Sequence, residues 1–178
     1  MKNQKILLTK RPQDEGVSTD DFQLVEADRI EPGDGQVEVR VIYISIDPAT
    51  RLWMNEDPPV MAPVALGQVV TAMGIGIVEV SGDVSFPVGT LVSGPLGWQS
   101  YITCAAELLT VLPCAPMLPL TAHLTVLGIS GLTAYFGLLE LGEPKLGETL
   151  VVSSAAGSVG SLVGQIGTKQ VSQFWLVD

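Results

Sequence analysis

The feature that most limits how this chain can fold lies between residues 149 and 166. Thr149-Leu150-Val151-Val152-Ser153-Ser154 is a short, partly β-branched run of the kind found in a fully buried parallel strand. It passes without a spacer into Ala155-Ala156-Gly157-Ser158-Val159-Gly160, and Leu162-Val163-Gly164-Gln165-Ile166 follows at helical spacing. Strand, glycine turn and helix in that order predict the opening of a βαβ unit. In such a turn Gly157 permits a pyrophosphate to approach the backbone and Gly160 lets the helix pack tightly on the strand. The helix start then offers unpaired amide donors to phosphate. Ala155 stands where the G-x-G-x-x-G fingerprint has its first glycine, so a glycine-rich turn with no ligand is the competing reading.

The chain before this point has a different grammar. Short apolar stretches alternate with polar turns from Ile6 to Val25, and Gln36-Val37-Glu38-Val39-Arg40-Val41 alternates strictly, which predicts a half-buried strand. The strand continues through Ile42 to Ile46 and meets Asp47-Pro48, where the proline ends the ladder and delivers Asp47 to Met54 to a loop. Asp57-Pro58-Pro59 and Pro63 form a turn-rich connection, and Gly74-Ile75-Gly76-Ile77-Val78-Glu79-Val80 reads as another strand. Gly82-Asp83, Pro87-Val88-Gly89 and Gly94-Pro95 punctuate further short strands. Together these predict a compact, barrel-like β-domain over about residues 1 to 120. Beyond Pro119, Leu120 to Leu127 and Leu132 to Leu141 read as helices, with Gly142 as the cap. The organisation therefore changes from β to α/β.

Composition excludes several functions. A formal charge of −10, from 19 acidic and 9 basic residues, repels phosphate backbones and anionic lipid, so neither nucleic acid nor membrane is expected as a partner. The N-terminal apolar stretch is too short for a signal peptide, and no run of about 18 apolar residues is present, so a cytoplasmic address is expected. Cys104 and Cys114 are the only cysteines and His123 the only histidine, so a four-ligand zinc set cannot be assembled and no metal is expected. The two thiols read as plain thiols. His123, in an apolar helix-like stretch, reads as an interior or surface histidine.

Several blocks resemble one family. Gly131-Leu132-Thr133-Ala134-Tyr135-Phe136-Gly137-Leu138-Leu139-Glu140, Pro144-Lys145-Leu146-Gly147-Glu148-Thr149-Leu150-Val151-Val152-Ser153 and the Ala-Ala-Gly-Ser-Val-Gly turn are similar to the zinc-independent alkenal/enone and prostaglandin reductases of the medium-chain dehydrogenase/reductase superfamily. Ser45-Ile46-Asp47-Pro48 with Arg51 and Met54-Asn55, Gly74-Ile75-Gly76 and Gly97-Trp98-Gln99 fit the same pattern, so the resemblance extends to about Gln165.

The resemblance implies an α/β enzyme, α+β over this stretch, with a GroES-like β-domain over 1–120. The connecting helices and the start of a Rossmann domain occupy 121–178, with the reaction between the two domains. It implies metal-free hydride transfer from NADPH to the β-carbon of an α,β-unsaturated aldehyde or ketone, giving an enolate that is then protonated, in a protein that forms a homodimer. Ala156, Gly157, Ser158, Val159 and Gly160 carry over as cofactor contacts. Thr133 carries over as a neighbour of the nicotinamide or stands as a helix-starting hydroxyl. Asp47, Arg51, Met54 and Trp98 fall at the rim of the substrate pocket, although an aspartate before proline also forms turns and a tryptophan also fills cores. Ala49 departs from the family, which often has an aromatic residue there.

The chain is expected to stop inside the Rossmann domain, before the family's 2′-phosphate-binding residues and its catalytic tyrosine, so no catalytic residue is named. Asp178 lies near the offset of a ribose-binding acid, and Lys169 near a helix end; neither is assigned. A quinone oxidoreductase of the same superfamily, or a truncated product without catalysis, remains as an alternative.

Overall fold

A computed structural model describes residues 1–13, 16–59, 61–113, 118–168 and 173–177, with backbone alone for 173–176. Cys114, Lys169 and Asp178 fall outside the described residues. The chain forms two compact units, Met1–Ala115 and Pro116–Asp178.

The first unit is built on antiparallel pairing. Strands β1 (Asn3–Leu8) and β2 (Phe22–Ala27) form one pair. Strands β3 (Gln36–Ile44), β4 (Gly74–Ser81), β5 (Leu91–Gly94), β6 (Tyr101–Ala105) and β7 (Thr110–Val111) form a five-stranded sheet in the order β6-β3-β4-β5-β7. The free edge of β1 is stitched to two passing segments: Ile6 N–H donates to Trp98 O at 2.9 Å, and Leu8 N–H to Gln68 O at 2.9 Å. That closure produces the barrel-like character predicted for this region. Gly76 is required where β4 pairs with β3, because a Cβ there would lie 2.3 Å from Val39 Cγ1 and 2.7 Å from the Arg40 carbonyl oxygen.

Among the described residues two apolar clusters fill this unit. One gathers Val37, Val39, Val78, Val92, Leu96, Ala106 and Leu109, and the other gathers Leu8, Met54, Val64 and Val70 with Trp98 and Phe22 packed against them. In β3 the structure departs from strict alternation, because Glu38 is buried between Val37 and Val39. Its carboxylate is held by Arg29, whose Nε donates to Glu38 Oε1 at 2.8 Å and whose Nη2 donates to Glu38 Oε2. Arg29 also reaches Glu79 at 3.0 Å and lies 4.1 Å from the centre of the Tyr101 ring. The hydrogen bond to Glu38 pushes the Arg29 guanidinium pKa further up. A buried carboxylate is tolerated only with such pairing.

The expected loop from Asp47 to Met54 is instead a helix, α1 (Pro48–Trp53). The proline that ends the preceding strand is also well suited to the first helical position, and Asp47 caps the helix.

In the second unit the stretch expected as a helix from Leu120 to Leu127 is a tight 3-10 segment over Leu120–Leu124, and α2 (Ile129–Tyr135) begins after Gly128. The chain widens into a π-helical turn over Phe136–Leu141, where Gly142 N–H donates to Gly137 O at 3.0 Å. Gly142 thus ends the helix, but with φ −77° rather than the left-handed conformation of a usual glycine cap. Strand β8 (Thr149–Ser153), helix α3 (Ser158–Gly167) and strand β9 (Gln173–Val177) complete a parallel βαβ unit. Full burial of β8 is not realised: of its residues only Val152 is buried, and Val151 is 63% exposed. Among the described residues β8 pairs with β9 alone, so its apolar side chains are covered on one side only.

Candidate functional site

The glycine turn begins where β8 ends. Ser154 takes φ +48°, a left-handed conformation that costs a non-glycine residue and turns the chain sharply toward the helix. Ala155 N–H donates to Val177 O at 3.3 Å, tying the turn to β9, and Gly157 N–H donates to Ser154 O at 2.9 Å. Gly157 is the residue preceding α3, and among the described residues no side chain caps that helix. The N-terminal amides of α3 therefore have no side-chain acceptor, which is the arrangement that accepts an anion.

The two glycines differ in what they accommodate. A Cβ on Gly160 would lie 2.3 Å from Ser154 O and 2.9 Å from Ala155 Cα, so Gly160 sets how closely α3 approaches the strand end. A Cβ on Gly157 would meet Ser154 O alone, at 3.1 Å, and Gly157 has φ −72°, which any residue adopts. Ala155, in place of the first glycine, is buried at 7% exposure, with Gly160 packed against its Cα. Ala156, Gly157 and Ser158 are exposed and Val159 is half-buried.

Thr133 sits inside α2, which packs on α3, and its side chain is exposed. It does not start the helix: the capping position is Gly128, with no side-chain cap.

The residues expected at the substrate rim gather around α1 in the first unit. Asp47 Oδ1 accepts from Ala49 N–H at 3.0 Å and Oδ2 from the Ser45 hydroxyl at 3.1 Å, so the aspartate is the helix cap. Arg51 Nη1 donates to Asn55 Oδ1 at 2.6 Å and Nη2 to Pro12 O at 3.3 Å. Met54 is 2% exposed and belongs to the cluster with Leu8, Val64 and Val70. Trp98 packs on that cluster with its ring centre 5.5 Å from that of Phe22, and its indole N–H is buried with no acceptor among the described residues. Sequence reasoning passed over Arg11, whose Nη1 donates to three backbone carbonyls around α1. No local pattern signals it, because its partners lie more than forty residues away.

His123 lies in the 3-10 segment, half-buried. Burial pushes the Cys104 thiol pKa up, which makes it a poor nucleophile. Among the described residues no three His, Cys, Asp or Glu side chains are grouped to hold a metal ion, and no helix is long and apolar enough to cross a membrane.

A GroES-like β-domain followed by strand, glycine turn, helix and parallel strand is the layout of the medium-chain dehydrogenase/reductase class. A family model for the N-terminal domain of oxidoreductase matches residues 4–112. The chain is 41% identical over 166 residues to the NADPH-dependent curcumin reductase of Escherichia coli strain K12, a match covering 93% of this chain and 48% of the relative. It is 38% identical over 148 residues to prostaglandin reductase 1 of Bos taurus, covering 82% and 43%. The crystal structure of CurA in complex with NADPH from Vibrio vulnificus superposes with a TM-score of 0.86 at 35% identity, covering 97% of this chain and 50% of that one. The chain belongs to the family of oxidoreductases that this N-terminal domain defines, and it spans about half the length of the curated relatives it matches.

Proposed function

We propose that the protein carrying this chain reduces the carbon–carbon double bond of α,β-unsaturated aldehydes or ketones with NADPH, without a metal. The observation that carries this reading is the start of α3, uncapped by any side chain and pressed against the strand end by Gly160. In the proposal Ala156 to Gly160 hold the pyrophosphate through the first-turn amides, and the open side of Gly157 leaves the backbone accessible to it. The exposed hydroxyl of Thr133 orients the nicotinamide. NADPH, when bound, supplies the hydride. Residues 1–120 carry the substrate side and 121–178 begin the cofactor side.

On the substrate side, Asp47 and Arg51 are engaged in holding α1, so their contribution is to place the helix rather than to exchange protons. The NADPH-dependent curcumin reductase, prostaglandin reductase 1 and the NADPH complex of CurA support NADPH as the reductant of a small-molecule substrate.

The test is a Gly157→Val substitution in the protein that carries this chain, read by NADPH titration. Only one protein atom lies near the added Cβ, so the fold should persist while the Michaelis constant for NADPH rises strongly. Unchanged cofactor binding would overturn the assignment of the turn. Preferential turnover of a quinone over an enone would favour the quinone oxidoreductase alternative.

A further inference from the structure

Two arginines stitch the chain on either side of α1. Arg11 Nη1 donates to the carbonyl oxygens of Met54 at 2.6 Å, Asn55 at 3.1 Å and Val64 at 3.2 Å. Met54 and Asn55 are where the chain leaves α1, and Val64 is where it returns, with its N–H donating to Trp53 O at 2.8 Å. One guanidinium thus closes the base of the connection between Asn55 and Val64. In the opposite sense, Arg51 reaches back from the helix to the carbonyl of Pro12, the residue next to Arg11. The helix has six residues, too few to hold itself by its own hydrogen bonds. Its start is set by the Asp47 cap and its end by Arg11.

We propose that Arg11 is a positioning residue for the substrate side of the reaction: it fixes the exit of α1, and with it Asp47 and Arg51, without touching substrate. The inference rests on the reading of α1 as part of the substrate site. A half-buried carbonyl cluster of this kind suits a guanidinium, which is more weakly hydrated than an ammonium group. Glu56, 89% exposed and 3.9 Å from Arg11 Nε, adds little to the clamp.

Arg11→Ala, Arg11→Gln and Glu56→Gln are made in the protein that carries this chain. Michaelis constants for a simple enone and for NADPH are measured separately, and amide exchange from Thr50 to Asn55 is followed in the same proteins. Arg11→Ala should raise the enone constant by about tenfold to a hundredfold and speed exchange in α1, with the NADPH constant unchanged. Arg11→Gln, which keeps an amide donor, should show a smaller rise in the enone constant, and Glu56→Gln none. An enone constant indifferent to Arg11 overturns the proposal, as does a parallel rise in both constants, which marks a general loss of structure. If Arg11→Ala does not fold, Arg11→Gln decides: unaltered exchange and an unaltered enone constant overturn it. An unsubstituted protein that fails to turn over any enone with NADPH sinks the proposed function and this inference together; an active protein that ignores Arg11 sinks the inference alone.

Discussion

Leu8, Ile75, Leu96, Val37, Val39, Val70, Val78 and Val92, all fully buried, lie in the unit Met1–Ala115, together with the buried carboxylate of Glu38. In the unit Pro116–Asp178 the most covered apolar residues described are smaller or fewer: Ala134, Ala122, Leu138, Val152 and Ala155, while Leu141 and Leu146 are more than four-fifths exposed. The first unit is held by large side chains closing on one another and by a paired buried charge. The order of the second rests more on backbones in close approach, through Gly131 against Val126 and Gly160 against Ser154. Single substitutions should therefore act through different physics in the two units.

The largest expected effect is in the first unit. Glu38→Ala removes the carboxylate that Arg29 grips in two places and leaves the guanidinium with Glu79 and the Tyr101 ring. Breaking a buried pair from one side costs several kcal/mol. Arg29 keeps Glu79, the Tyr101 ring and some exposure, so the loss shows as a clearly lower midpoint in urea unfolding. A midpoint within error of the unsubstituted chain would show that Glu38 is not part of what holds this unit.

In the second unit, Gly160→Val forces a side chain into Ser154 and Ala155, for which about 2 kcal/mol of local destabilisation is expected. Faster amide exchange should be confined to β8 and α3, with the first unit unchanged. Exchange that rises throughout both units would break the comparison.

These sites also mark what could be read from residues alone. The βαβ opening at 149–166 was legible because strand, glycines and helix are contiguous, so each element's signal supports the next. Strand β4 was legible for the same local reason. Helix α1 was not, because Asp47-Pro48 both ends a strand and begins a helix, and only the three-dimensional capping by Asp47 decides between them. The burial of Glu38 was hidden because the group that pairs with it, Arg29, lies outside its strand, nine residues before it. Met54 was read as a pocket residue by resemblance, but its burial is set by Leu8, Val64 and Val70, which no local pattern connects.

A smaller effect sharpens the contrast from the other side. Val151 is 63% exposed on β8, so Val151→Lys should alter stability by no more than about 0.5 kcal/mol. The same change should reduce concentration-dependent self-association of the 178-residue chain in sedimentation, since it places a charge beside an exposed apolar strand. Undiminished association would place the sticky surface elsewhere.

The central claim is that the uncapped start of α3 serves a cofactor that delivers hydride to an activated double bond. The most direct measurement uses NADPH deuterated at the transferring position of the nicotinamide, with a simple enone and the protein that carries this chain. The product is analysed by mass spectrometry and NMR. The account predicts saturable consumption of NADPH and a saturated ketone bearing the deuterium on its β-carbon. Consumption of NADPH with no deuterium at that carbon, or no consumption at all, would contradict it.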